Sequence, residues 1–233
     1  MKVVNFIKKE LSGWSKYEAI FVPFFLLLIF SVSVYMKDSQ VATASALFGL
    51  TYTILAGKGK ISCFFFGLQG TLCYSYLSFE NAIYGNMLLY MGYYFPMQIL
   101  GIFKWKNNLK KDNNEIKKTM LSNKERFLLS FITIISTIVF GFILKNLNDS
   151  APFLDSCATI LSIVGMYLTV KRCIEQWIIW TIVNAITIVI WFNIFVQGGN
   201  TFATLLMWCS YLFLGVYFFF KWKKEMLLEN SNC

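Results

Sequence analysis

Histidine is absent from the 233 residues. Without it the chain has no imidazole metal ligand, no serine–histidine triad and no histidine proton relay. Charged side chains make up only 14% of the sequence, whereas an ordinary soluble domain carries about 25%. No Asp or Glu falls in the middle of an apolar segment; Asp155 and Glu175 stand at segment ends. Proton- and sodium-coupled carriers usually need an intramembrane carboxylate or a broken-helix ion site, so the absence argues against ion-coupled carriers and against an aspartyl intramembrane protease. The six cysteines include no C-x-x-C pair. They read as free, packed thiols rather than a redox or zinc motif.

What is abundant is apolar: 57% hydrophobic and 18% aromatic residues. These fall into eight segments, Ala19–Met36, Val41–Ala56, Ile61–Leu77, Tyr84–Phe103, Phe127–Leu144, Phe153–Val170, Trp177–Phe195 and Thr201–Phe220. Each approaches the ~20 residues that a helix needs to cross a bilayer. The expected class is therefore an all-α polytopic membrane protein of eight transmembrane helices. The first segment reads as a retained helix rather than a cleaved signal peptide, because its apolar run is too long. Before it, Met1–Tyr17 alternates lysines with Val, Phe, Ile, Leu and Trp14, a pattern suited to an amphipathic stretch on the membrane surface or a frayed terminus.

Charge placement orients the chain. With eight spans, 19 of the 21 basic residues lie on the side of the two termini, and only Lys37 and Lys145 lie opposite. The positive-inside rule then puts both termini in the cytoplasm. The net charge of +9 is thus explained by topology, with no nucleic acid implied. The loop Lys104–Arg126 contributes eight of those 19 basic residues; it serves either to orient the chain or to touch anionic membrane lipids.

Leu47–Trp105 and Leu161–Trp222 share one pattern. Each has an apolar helix, a short basic turn (Lys58/Lys60; Lys171/Arg172), a second helix, a polar turn, a third helix, and an end of the form Lys104-Trp105-Lys106 or Lys221-Trp222-Lys223. The offset drifts between about 113 and 117 residues. Three-helix repeats four spans apart enter the membrane from the same side, so they are parallel repeats, and such carriers place their site at the repeat interface. The predicted layout is 1–40 for the surface stretch and an extra helix, 41–106 for the first repeat, 107–150 for the basic loop and a linker helix, 151–224 for the second repeat, and 225–233 for a cytoplasmic tail.

Trp177, Trp180 and Asn184 are spaced i, i+3 and i+7 and share a helix face. Indoles offer a π surface that favours a flat, cationic heterocycle, and Asn184 offers a donor and an acceptor. The alternative is an interfacial belt for Trp177 and helix–helix bonding for Asn184. At an offset of 115, Gln69 stands level with Asn184; its flanking Gly67 and Gly70 equally suit a packing seam. Tyr90-Met91-Gly92-Tyr93-Tyr94-Phe95-Pro96-Met97-Gln98 brings tyrosines, a proline and an amide within three turns, and Gln98 is expected to reach the same space as Asn184, with Trp208 and Tyr211 as the corresponding wall of the second repeat.

The set Trp177-x-x-Trp180-x-x-x-Asn184, Tyr84-Gly85-Asn86, Tyr93-Tyr94, Pro96-Met97-Gln98, Gly101 and Trp105 resembles the PnuC vitamin transporters, in particular those for nicotinamide riboside, from about Val41 to Trp222. The resemblance implies a SWEET-like 3+1+3 fold with one extra N-terminal helix, a homotrimer in the bacterial cytoplasmic (inner) membrane, and no cofactor. It implies facilitated diffusion of a vitamin nucleoside, trapping by a cytoplasmic nicotinamide riboside kinase, and supply of NAD synthesis. The implied substrate contacts are Trp177, Trp180, Asn184, Gln98, Gln69, Tyr94 and Tyr211. One departure is that Phe218 stands four residues before Trp222, where the first repeat has Gly101, which puts the packing of the last helix in question. A thiamine or other flat-vitamin facilitator, and a non-transporting membrane scaffold or sensor, are the competing readings; an enzyme is not expected.

Overall fold

The structure, a computed structural model, describes residue 10 and residues 13–80, 84–110, 115–147, 151–197 and 202–231. Most of the expected surface stretch before Trp14, Lys111 of the basic loop, Asn81, Asp149, the turn at Gly198–Asn200 and Cys233 lie outside these residues. The described chain is helical, without strands. It forms two compact units, Met1–Lys117 and Lys118–Cys233.

The first unit contains α1 (Lys16–Tyr35), α2 (Gln40–Gly57), α3 (Cys63–Glu80) and α4, which runs in three pieces: Tyr84–Leu89, a π-helical turn Tyr90–Tyr94, and Phe95–Lys106. α1 starts at a capping box in which Ser15 Oγ accepts from the Glu18 amide and Glu18 Oε2 accepts from the Ser15 amide. The π turn has an identifiable cause. Pro96 lacks the amide that would bond four residues back, and just before it the Phe95 amide reaches Tyr90 O, five residues back. α3 packs on both α2 and α4. Its seam is lined by small residues: a Cβ on Gly70 would stand 3.4 Å from the Gly49 amide nitrogen of α2.

The second unit contains α5 (Asn123–Asn146), α6 (Pro152–Lys171), α7 (Glu175–Val196) and α8 (Phe202–Ser231). α5 begins at the same kind of capping box, formed by Ser122 and Glu125, and packs on α6. There the Phe153 ring occupies the space that Gly141 leaves open, and Ser156 Oγ donates to Thr137 O at 2.6 Å. α7 packs on α6 and on α8.

Among the described residues, each of the eight apolar segments of the sequence lies mostly within one of these helices. Among the described residues, five helical stretches are long and apolar enough to cross a membrane: Lys16–Tyr35, Gln40–Gly57, Asn123–Asn146, Pro152–Lys171 and Leu205–Glu229. α3 is less apolar because its buried face carries Thr71, Ser75 and Ser78. Large apolar side chains are exposed along α1 (Ile20, Phe24, Leu27) and α5 (Phe131, Ile135, Phe142), as expected of surfaces that meet lipid rather than water.

Local features recur between the units 113 residues apart. Gly59 (φ +69°) and Arg172 (φ +64°) both adopt the left-handed conformation that ends a helix. After them the Lys60 amide bonds Leu55 O at 2.9 Å, and the Cys173 amide bonds Leu168 O at 3.0 Å. Each turn is also held by the segment after α4. Ile116 N–H donates to Gly59 O in the first unit and Thr119 N–H to Arg172 O in the second, both at 3.0 Å.

Candidate functional site

In the first unit, Gln98 of α4 and Thr71 of α3 are both 3% exposed. Gln98 donates from Nε2 to Thr71 Oγ1 at 2.8 Å. Gln98 Oε1 and the Tyr52 hydroxyl are buried and have no hydrogen-bond partner among the described residues. Both side chains converge on Gly67: a Cβ there would stand 2.7 Å from Tyr52 Cδ2 and 3.0 Å from Gln98 Oε1. Glycine is therefore required for this close approach. Tyr94 is buried in the π turn, its ring centroid 4.7 Å from that of Tyr90 and 5.7 Å from that of Tyr93, while Tyr90 lies 4.4 Å from Tyr74.

Gln69 is not brought into this group. It lies on the α3 stripe that includes the exposed Phe65, Leu72 and Tyr76, on the side away from the buried Gly67, Gly70 and Thr71. The expected level with Asn184 assumed an offset of 115. The turns at Gly59 and Arg172 recur at 113, and at that offset Asn184 falls level with Thr71 and Gln69 with Ile182. The two glycines form the packing seam.

In the second unit, the two indoles of α7 touch different neighbours. Trp177, 3% exposed, packs in an aromatic cluster with Phe218 at 5.3 Å and Trp222 at 5.6 Å between ring centroids. Trp180 lies over Gly165 of α6, whose Cβ would stand 2.9 Å from Trp180 Cε2. Its Nε1 donates to Thr169 Oγ1 at 3.2 Å, and Thr169 in turn donates to Gly165 O at 2.8 Å. Trp180 is thus fixed in orientation yet remains half-buried, while Asn184, one turn deeper, is buried. Tyr211 is half-buried beside Trp208, with ring centroids 5.6 Å apart.

Ring and glycine trade places between the units. Tyr52 lies over Gly67 in the first; in the second, 113 residues on, the glycine is Gly165 and the ring is Trp180. The packing questioned at Phe218 has a similar answer. In the first unit the Phe64 ring fills the space over Gly101 and meets Trp105 at 4.9 Å. In the second, Phe218 is fully buried against Trp177.

The basic turn of the first unit is buried rather than merely orienting. Lys58 Nζ pairs with Glu18 Oε2 at 3.1 Å, the two side chains 3% and 1% exposed, and lies over the Trp14 ring. Lys60 pairs with Glu115 at 3.7 Å; burial pushes its ammonium below the ordinary lysine value, against the opposing pull of Glu115 and Glu10. Lys118 pairs with Glu225 and lies over Trp222, so its charge is tied within the protein. The five cysteines among the described residues are free, but Cys209 is exposed rather than packed. Among the described residues, no group of three or more cysteine or carboxylate side chains is placed to hold a metal ion.

Residues 39–224 match the family described as nicotinamide mononucleotide transporter. The chain belongs to this family. The nicotinamide riboside transporter PnuC of Neisseria mucosa is 33% identical over 223 residues, spanning 93% of this chain and 85% of that protein. The PnuC of Haemophilus influenzae is 29% identical over 229 residues, or 97% of each chain. A crystal structure of the vitamin B3 transporter PnuC is similar in fold, with a TM-score of 0.82 at 33% identity, over 94% of this chain and 96% of that one. The family and the apolar helices together make this a multi-pass membrane protein of a transporter family, as the PnuC resemblance implied. Thr71, Tyr52, Thr169 and Gly165 were not singled out from sequence; the 113-residue offset of the basic turns was the signal for the first, as the counterpart of Asn184.

Proposed function

We propose that this protein carries nicotinamide riboside across the bacterial cytoplasmic membrane by facilitated diffusion. The observation that carries the reading is Trp180, an indole locked over Gly165 by its bond to Thr169 and left half-buried above a buried Asn184. A fixed indole suits a flat pyridinium, and a buried amide suits its carboxamide or ribose. The PnuC relatives named as nicotinamide riboside transporters support the same substrate. The riboside fits better than its 5′-phosphate, because no Lys or Arg stands mid-segment to meet a phosphate. Substrate contacts are assigned to Trp177, Trp180, Asn184, Gln98, Tyr94 and Tyr211.

The wider reading has eight transmembrane helices, two parallel three-helix repeats at 41–106 and 151–224 joined by 107–150, both termini in the cytoplasm, and a homotrimer in contact with membrane lipids. The protein is a transporter rather than an enzyme. A cytoplasmic kinase that phosphorylates the riboside supplies the trapping step and feeds NAD synthesis, in keeping with the lack of a mid-segment carboxylate.

Tryptophan fluorescence of the purified protein, titrated with nicotinamide riboside, nicotinamide, thiamine and riboflavin, tests the substrate. Saturable quenching by nicotinamide riboside that weakens in Trp180→Phe is expected. A selective response to thiamine or riboflavin replaces the substrate, and no response to any of the four favours a scaffold or sensor.

A further inference from the structure

Gln98 has two hydrogen-bonding ends with opposite requirements. Its amide nitrogen donates and its carbonyl oxygen accepts. In the first unit the nitrogen is committed to Thr71 Oγ1 at 2.8 Å. The oxygen is buried, has no partner among the described residues, and lies beside the Tyr52 ring over Gly67. Both Gln98 and Thr71 are 3% exposed, so water does not freely compensate either end. Leaving a buried acceptor unmatched is costly, and what matches it is a donor.

We propose that Thr71 is a positioning residue: by holding Gln98 Nε2 it fixes Gln98 Oε1 as an acceptor for the carboxamide N–H of the substrate, and so selects pyridine ribosides that carry an N–H donor over analogues that lack one. This rests on the nicotinamide riboside reading. The location of Thr71 is independent support. It stands at the repeat position of Asn184, so each unit places one short polar side chain at the same depth of its second repeat helix, and in the first unit that side chain orients an amide from the next helix. Gly67 is part of the device, since any side chain there would meet Gln98 Oε1 at 3.0 Å and Tyr52 at 2.7 Å.

Direct binding to the full-length protein in detergent, by calorimetry, tests this with two ligands: nicotinamide riboside and 3-acetylpyridine riboside. The second carries the same pyridinium charge and is a near-isostere in which a methyl group replaces the amide nitrogen, so it keeps the carbonyl and loses only the donor. The wild type is expected to bind the acetyl analogue roughly tenfold more weakly, the scale of one net hydrogen bond. In Thr71→Val the Gln98 amide is released to turn over, and the ratio of the two affinities is expected to fall toward one. Thr71→Ser keeps the hydroxyl and is expected to restore the ratio. A loss of packing alone would weaken both ligands equally and leave the ratio unchanged. Equal binding of the two ligands by the wild type overturns the proposal without any variant, as does an unchanged ratio in a folded Thr71→Val protein. If nicotinamide riboside does not bind while thiamine or riboflavin does, it is the substrate reading that fails, and the assignment of Gln98 Oε1 to a carboxamide falls with it.

Discussion

Trp180 donates its indole N–H to Thr169 Oγ1 at 3.2 Å while its ring covers Gly165. The orientation of the aromatic surface offered by α7 is therefore set by α6, through one hydroxyl and one missing side chain. Gly165→Ala would place a carbon 2.9 Å from Trp180 Cε2 and must push the ring aside. Overpacking of this kind costs about 1–3 kcal/mol, and nicotinamide riboside affinity is expected to fall by about tenfold or more in a fluorescence titration. Thr169→Val removes only the hydrogen bond and is expected to weaken binding several-fold, in line with about 0.5–1.5 kcal/mol per bond.

The Lys58–Glu18 pair is buried on both sides. Removing one partner strands the other charge away from water, at a cost of about 3–5 kcal/mol. Lys58→Met is expected to lower the thermal unfolding temperature in detergent, and Lys58→Met with Glu18→Gln to recover most of the loss. Similar melting of the single and double variants would show that the pair contributes little. The corresponding pair in the second unit, Lys171 and Glu125, is 3.9 Å apart and about half-exposed; Lys171→Met is expected to have no more than a small effect.

Much of this was legible in the sequence, for reasons that particular residues make plain. Membrane class and helix placement follow from the length of the apolar runs, which lipid constrains strongly. The helix that carries Trp180 and Asn184 was legible from its apolar run, and the burial of Asn184 from the cost of leaving an amide unpaired in lipid. Gln69 was set level with Asn184 by an offset of 115, whereas the turns at Gly59 and Arg172 recur at 113, and two residues turn a side chain by about 200° around a helix. Thr71 and Thr169 were missed because a threonine in a helix usually bonds its own backbone four residues back, as Thr181 and Thr187 do; only the cross-helix partner distinguishes them.

Phe218 packs against Trp177 and is fully buried. Phe218→Ala is expected to destabilise the protein by about 3–5 kcal/mol through the cavity it leaves, read as a lower unfolding temperature. It is also expected to weaken riboside binding, because Trp177 loses its support.

Burial lowers the pKa of Lys60 below its ordinary value of 10.5. Between the lowered value and 10.5, the unfolded chain binds the proton that the folded protein releases, so this residue makes stability rise with pH across that window. Relative to Lys60→Met, the wild type is therefore expected to gain thermal stability as the pH is raised toward 10.5. A difference that shrinks or stays flat would show that Glu115 outweighs burial at this site.

Counterflow in proteoliposomes decides the proposed transport. Vesicles loaded with unlabelled nicotinamide riboside and diluted into labelled riboside are expected to take up label transiently and then release it to equilibrium, without response to an imposed pH or sodium gradient, and Asn184→Ala is expected to abolish the uptake. Absence of saturable uptake by the wild type, or accumulation that persists above equilibrium with no kinase present, would contradict facilitated diffusion of nicotinamide riboside by this protein.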